Sequence, residues 1–258
     1  MSTKPPYEYH GLMAEFWDLL RGDGSLWSDK FFYLQCIRTY GQPVLDVGCG
    51  TGRLLLHLMH QGIDVDGIDN SPEMLALLRK KADRFGMKPN VYQQQMERLS
   101  LPRQYQMILV PSSSFQLLLD PAVPPRALRR FYEHLVPGGT LVMPFMTLWK
   151  PGDPLETEWT KEATREDGAT VRRDSWSRYD PATELEETRE TYTVTWHGQV
   201  TASETHVQSP ATRSYTQEQA LGLYREAGLT NVGAYHEFTF EPATPEDTLF
   251  CVLGTRPG

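Results

Sequence analysis

The run Val44-Leu45-Asp46-Val47-Gly48-Cys49-Gly50-Thr51-Gly52-Arg53 constrains this chain more than any other stretch. An apolar strand closes around an acidic residue, turns on three glycines and passes straight into a leucine-rich helix. Glycines in such a turn accept φ > 0 and let a ligand approach the main chain with no Cβ in between. The helix behind it aims unsatisfied N–H groups and the positive end of its dipole at whatever the turn holds. The local reading is a turn that holds a cofactor.

The spacing narrows the choice of cofactor. A dinucleotide fingerprint, G-x-G-x-x-G, needs its last glycine where Arg53 stands, and no Gly-Lys-Ser/Thr follows to make a P-loop. Ile63 to Asp69 reads as a second strand with Asp69 at its carboxyl end, the position at which such folds place a ribose-binding carboxylate. An ionised aspartate is acceptor-only, so it suits two vicinal hydroxyls. Ser71-Pro72-Glu73-Met74 then opens a helix, with Ser71 as N-cap, Pro72 in the first turn and Glu73 at the positive end of the dipole.

Four segments in order, LDVGCGTGR (45–53), GIDNSPEML (67–75), PSSSFQLL (111–118) and LVPGGTLVM (135–143), resemble the class I S-adenosylmethionine-dependent methyltransferases. More loosely, the whole chain resembles their small-molecule branch, which includes sugar N-methyltransferases. The resemblance implies S-adenosyl-L-methionine as cofactor, S-adenosyl-L-homocysteine as product and no metal. It places Gly48, Cys49, Gly50 and Gly52 against the cofactor, gives Asp46 its methionine end and gives Asp69 its ribose. Asn70 follows at the adenine edge and Met74 at the ring face, with plain core packing as the alternative for Met74. Relatives often carry an acidic residue after the third strand; here Gln95 or the Met96 backbone takes that place. Pro111 lies beside the transferable methyl, and Phe115 and Gln116 line the acceptor. Where relatives often have a histidine, Gln116 cannot take a proton at neutral pH, so no catalytic base is assigned. Tyr7, Tyr9, Phe16 and Trp17 near the start, with Trp149 after the fifth strand, are candidates for an aromatic lid and wall, Trp17 on the cofactor side and Tyr7 and Trp149 on the substrate side. Packing of the first helix onto the sheet is the alternative for each.

Composition excludes several other classes. A formal charge of −8 over 258 residues, with no Lys/Arg cluster among aromatics, argues against a nucleic-acid partner. No apolar run is long enough to span a bilayer, and the polar start is no signal peptide, so a membrane partner is not expected. Cys36, Cys49 and Cys251 are odd in number and scattered, which argues against disulfides and for a reducing cytoplasm. His57 and His60 lie one turn apart without a third ligand at matching spacing, and the other five histidines are isolated in sequence. The expected partner is a small-molecule acceptor, for a monomer or homodimer.

Along the chain, Tyr7 to Leu20 and Lys30 to Arg38 read as helices, and strands then alternate with helices as far as Phe145. Gly62, Gly86 and the pair Gly138-Gly139 sit where helix C-caps belong. From Trp159 to Val207, polar residues alternate with β-branched or aromatic ones between turns at Asp167-Gly168, Asp180-Pro181 and His197-Gly198, the pattern of consecutive antiparallel strands. Thr216 caps a helix that Gly228 ends, and Asn231–Phe240 and Thr248–Thr255 close the chain as strands. The expected fold is α/β: a Rossmann-like, doubly wound, mostly parallel sheet with an antiparallel final strand pair and an antiparallel β-insertion. The expected division is an N-terminal helical lid (1–40), a cofactor-binding core (41–150), an insertion shaping the acceptor site (151–213) and a C-terminal helix with the closing strands (214–258).

The function expected from these features is methyl transfer from S-adenosylmethionine to an N or O atom of a small molecule by in-line displacement. Alignment and water exclusion supply most of what a protein adds to that reaction, so a missing triad does not count against it. Two alternatives remain open on the sequence: a nicotinamide-dependent oxidoreductase, and a non-catalytic protein that binds S-adenosylmethionine.

Overall fold

β1 (Val44–Val47) is buried at every position, as a strand covered by helices on both faces must be. Its residues alternate between two cores. Leu45 and Val47 join Leu128, Phe131 and Tyr224 on one face, and Val44 joins Phe32, Leu55, Leu58 and Leu78 on the other. The computed structural model describes residues 7–22, 29–207 and 211–258.

Among them, β1, β2 (Val65–Asp69), β3 (Asn90–Gln93), β4 (Tyr105–Leu109) and β5 (Leu135–Met146) pair in parallel in the order β5-β4-β1-β2-β3. β12 (Leu249–Thr255) joins β5 antiparallel, and β11 (Thr230–His236) joins β12 antiparallel at the edge. Helices α3 (Asp29–Tyr40), α4 (Arg53–His60) and α5 (Pro72–Arg84) cover one face, and α6 (Pro124–His134) and α7 (Gln217–Glu226) cover the other. This is the mixed, mostly parallel architecture that the alternating pattern implies. Thr216 and Gln219 form the reciprocal capping box at the start of α7.

The second sheet is built from β6 (Glu156–Thr164), β7 (Thr170–Asp180), β8 (Leu185–Trp196) and β9 (Gln199–Val207), antiparallel throughout, with the short β10 (Thr212–Arg213) sharing the outer edge of β8. Its turns fall where the Gly- and Pro-containing dipeptides stand. Met13, Phe16 and Leu20 pack onto Ala169, Val171, Tyr192 and Val194 of this sheet, so the N-terminal segment is covered by the insertion.

Two local expectations are corrected. The stretch from Tyr7 to Leu20 is not one helix: Tyr7–His10 is non-helical, and α1 (Gly11–Glu15) and α2 (Trp17–Arg21) are separated at Phe16. Hydrogen bonds outside the helix decide this. Glu73 accepts the Gly11 amide at 2.6 Å and Glu204 accepts the Leu12 amide at 2.7 Å, so tertiary partners occupy donors at the start of α1. Gly138 and Gly139 do not cap α6, which ends at His134; they lie inside β5. A Cβ on Gly139 would meet the Val136 carbonyl at 2.9 Å and the Tyr105 and Gln106 carbonyls at 3.1 Å, so close approach of backbones requires glycine there.

A similar constraint joins the first turn to the sheet. A Cβ on Gly67 in β2 would fall 2.9 Å from Cys49 Sγ and against Leu55 Cδ1. Gly67→Ala is therefore expected to overpack this contact and cost about 1–3 kcal/mol, read as a lower urea midpoint at unchanged m-value. An unchanged midpoint would contradict the packing described.

Candidate functional site

At the carboxyl ends of β1, β2 and β4 lies a cavity of about 390 Å³, of the size that holds a small ligand. Switch points of open α/β sheets build such crevices. Gly48 and Cys49 donate their amides to the Ile68 carbonyl, and Gly50 donates to Asp69 Oδ2 at 2.8 Å, which folds the turn back over the end of β2. Gly48 is at φ +72°, and a Cβ there would meet Ser114 Oγ at 2.7 Å. Asp69 also accepts the Ser71 amide on Oδ1 at 2.8 Å, and Ser71 caps α5 by accepting from Met74. One carboxylate thus ties the glycine turn to the next helix while lining the cavity, and burial holds its pKa above the usual carboxylate range.

Asp46 also lines the cavity. It is 1% exposed, and neither carboxylate oxygen has a hydrogen-bond partner. Burial pushes its pKa up to about 7; Asp69 and Asp29 add to the shift, and Arg53 and, weakly, the nearby Leu55 amide at the start of α4 oppose it. Arg53 is fixed by Asp29, which accepts from both guanidinium ends at 2.8 and 2.5 Å. A buried carboxylate without partners is costly, and an ammonium group in the cavity would satisfy it.

The remaining walls come from farther away. Asn70 and Met74 line the cavity after β2, Gln95 and Met96 after β3, and Pro111 after β4. Ser112 and Ser113 continue from Pro111 at φ +56° each, a conformation that side chains beyond glycine rarely adopt and that clusters at functional sites. Tyr7, Tyr9, Trp17 and Arg21 close the cavity from the N-terminal segment, with Tyr9 and Trp17 edge to face at 4.7 Å. Arg21 lies over the Trp17 ring at 4.5 Å, and burial pulls its pKa down to about 10, which leaves it charged at neutral pH. Three bonds pin this segment to the core: Ser71 Oγ donates to the Tyr9 carbonyl at 2.5 Å, Tyr7 Oη to Glu73 at 3.3 Å and Thr51 Oγ1 to Asp18 at 2.6 Å.

Five residues singled out in the sequence lie off the cavity wall. Gly52, at φ +83°, faces α5, where a Cβ would stand 2.8 Å from Leu78 Cγ, so its need for glycine is one of packing. Phe115 is fully buried between Phe145 and Tyr215. Gln116, also fully buried, accepts the Met146 amide and donates to the carbonyls of Met146 and Arg213, tying β5 to β10. Trp149 stacks on Tyr179 and donates to the Asp153 carbonyl. Of the aromatics read as a lid, Tyr9 lines the cavity and Phe16 packs on the insertion sheet instead; Arg21 is a cavity residue that sequence reasoning missed. No local signal marks Arg21 in the sequence.

Residues 44–139 match the family model described as a methyltransferase domain. Over 146 residues the chain is 31% identical to dTDP-3-amino-3,6-dideoxy-alpha-D-glucopyranose N,N-dimethyltransferase of Streptomyces fradiae, covering 54% of this chain and 55% of that protein. Over 144 residues it is 32% identical to dTDP-3-amino-3,4,6-trideoxy-alpha-D-glucopyranose N,N-dimethyltransferase of Streptomyces venezuelae, covering 55% of this chain and 58% of that one. The chain spans a little over half the length of the curated relatives it matches. Among solved structures, the sugar N-methyltransferase KedS8 of a Streptoalloteichus species is similar at TM-score 0.73 and 25% identity, covering 100% of this chain and 99% of that one. A methyltransferase of Clostridium acetobutylicum aligns at TM-score 0.76 and 18% identity over 96% and 98% of the two chains, a likeness of fold. Residues 44–139 carry a methyltransferase domain, and the fold is that of the solved methyltransferases the chain aligns with. No described helix is long and apolar enough to cross a membrane.

The state of Asp46 has a measurable consequence. Its folded pKa near 7 stands above the ordinary 3.8, so folding takes up a proton. The stability this supplies is present below pH 3.8 and is lost as pH rises through about 7, by an amount on the order of 4 kcal/mol. Asp46→Asn is expected to melt higher than the parent chain at pH about 8, with the gap shrinking towards pH about 5. A variant that melts lower at the higher pH would show that Asp46 has a structural partner.

Proposed function

We propose that this chain transfers a methyl group from S-adenosylmethionine to the nitrogen of a small-molecule amine. The observation that carries the reading is the Asp46 carboxylate, buried in the cavity wall beside the glycine turn with no hydrogen-bonding partner. It suits the ammonium of the cofactor's amino-acid tail, and Arg21 offers a cation for a carboxylate. Asp69 gives one N–H acceptance from each oxygen to the backbone, and the remaining lone pairs suit the ribose hydroxyls. Asn70, Met74, Gln95 and Met96 suit an adenine, the amides by hydrogen bonding and Met74 by contact with the ring face. Trp17 and Pro111 then flank the reacting end.

Bound there, S-adenosylmethionine supplies an electrophilic methyl on a sulfonium. The chain's part is to align the acceptor, exclude water and leave the amine free to shed its proton after transfer; no side chain is assigned as base. In this reading residues 7–22 form the cover, α3 packs with 41–150 and 214–258 in the cofactor half, and 151–207 with 211–213 supply the acceptor wall. Likeness to two N,N-dimethyltransferases of dTDP-amino sugars supports an amine acceptor of that kind over a phenol. The three cysteines are buried free thiols, which accords with a reducing cytoplasm.

Calorimetry is expected to give saturable binding of S-adenosylmethionine and S-adenosylhomocysteine, weakened at least about tenfold by Asp69→Ala, which removes hydrogen bonds to a charged acceptor. Labelled methyl should then pass to amino sugars among a panel of amines and phenols. Failure to bind either compound at high micromolar concentration would end the proposal; binding without transfer to any acceptor would leave only a cofactor-binding protein.

A further inference from the structure

His10, Glu204 and His206 meet where the N-terminal segment crosses the insertion sheet. Period-two geometry puts Glu204 and His206 on one face of β9, and the non-helical residues before α1 bring His10 to the same place. Glu204 Oε1 lies 3.3 Å from His206 Nε2 and 3.6 Å from His10 Nδ1, and one ligand atom from each residue falls within 4.8 Å of the others. Two donors bonded to one tetrahedral zinc at ordinary Zn–N and Zn–O lengths stand about 3.4 Å apart. Both carboxylate–imidazole separations are therefore already close to those of a loaded site, on a residue set of two imidazoles and one carboxylate.

Burial and outer contacts separate this cluster from a chance surface grouping. His206 is 4% exposed, and the Tyr192 ring meets it edge-on at 5.6 Å between centroids. The second oxygen of Glu204 is occupied by the Leu12 amide at 2.7 Å, which aims Oε1 at the two imidazoles. Held ligands of this kind, oriented by partners behind them, are what metal sites use.

We propose that His10, Glu204 and His206 form a three-ligand site for a zinc-class divalent cation, with a water in the fourth position. The cation would cross-link the segment carrying Tyr7 and Tyr9 to β9, and so hold the aromatic cover of the cavity against the insertion. The site is separate from the methyl-transfer reading and stands or falls without it.

The test is titration of the chelator-stripped full chain with Zn2+ by calorimetry, and with Co2+ by visible absorption. One equivalent of Zn2+ and an intense tetrahedral-type Co2+ band are expected. His10→Ala, with its fold checked by circular dichroism because the side chain is only 19% exposed, should weaken binding at least about tenfold, as should His206→Asn. The double variant His57→Ala/His60→Ala, which removes the other close histidine pair, should bind as the parent does. No stoichiometric binding, binding undiminished by His10→Ala, or binding abolished by the His57/His60 change would each overturn the proposal and leave the cluster as a hydrogen-bonded contact only.

Discussion

Asp46 lies in the first strand, at the wall of the cavity, with no hydrogen bond to either oxygen. Taking a carboxylate out of water without a partner costs several kcal/mol, and proteins usually avoid it by pairing the charge or keeping the proton. Here the proton is held far longer than on an ordinary carboxylate, up to a pKa of about 7. The neighbourhood is arranged around that one group. Asp69 ties the glycine turn in front of it to α5, and Asp29 holds Arg53 beside it. A site of this kind is less stable than it would be with an amide in place of the acid, and that deficit is the usual sign of a site organised for a ligand.

The cover over the cavity is built with a different chemistry. Asp69 and Asp46 belong to the parallel sheet, but Tyr7, Tyr9, Trp17 and Arg21 arrive on a segment whose apolar side is buried against the insertion. Its polar anchors reach both ways, to Ser71 and Glu73 in the core and to Glu204 in the insertion. A few hydrogen bonds and two short helices offer less cohesion than a sheet ladder, so this segment belongs to the part of the molecule that opens at lower free energy. In the proposed function, admission of ligands and exclusion of water would fall to this cover.

Much of the fold was legible because two periodicities reported directly on burial. The alternating βα pattern marked the parallel sheet, and strict polar–apolar alternation with Gly and Pro turns marked the insertion. Caps at Ser71 and Thr216 appear as their residue types imply, since local chemistry decides them. What was not legible depends on contacts made across the chain. Gly138-Gly139 resembles a helix cap in sequence, but the demand on Gly139 comes from the Val136 carbonyl of its own strand and from two carbonyls of β4. Gln116 follows a strand end where acceptor-lining residues belong, yet its amide is consumed by Met146 and Arg213, the latter 97 residues away. Gly52 belongs to the turn by sequence and to helix packing by geometry. Around the cavity, the turn and Asp69 were readable from their own neighbours, whereas Arg21 reaches the wall only through the path of the N-terminal segment.

Below pH about 7, Asp46 in the cavity wall keeps its proton until a cationic ligand arrives. Calorimetric binding of S-adenosylmethionine in buffers of different ionisation enthalpy measures this directly. Near pH 6, where an α-amine is already charged, binding should release most of one proton per site. The release should fade towards pH about 8, where the free site is already ionised. A binding enthalpy that does not depend on the buffer near pH 6 would mean that Asp46 does not change its protonation, and would contradict the claim.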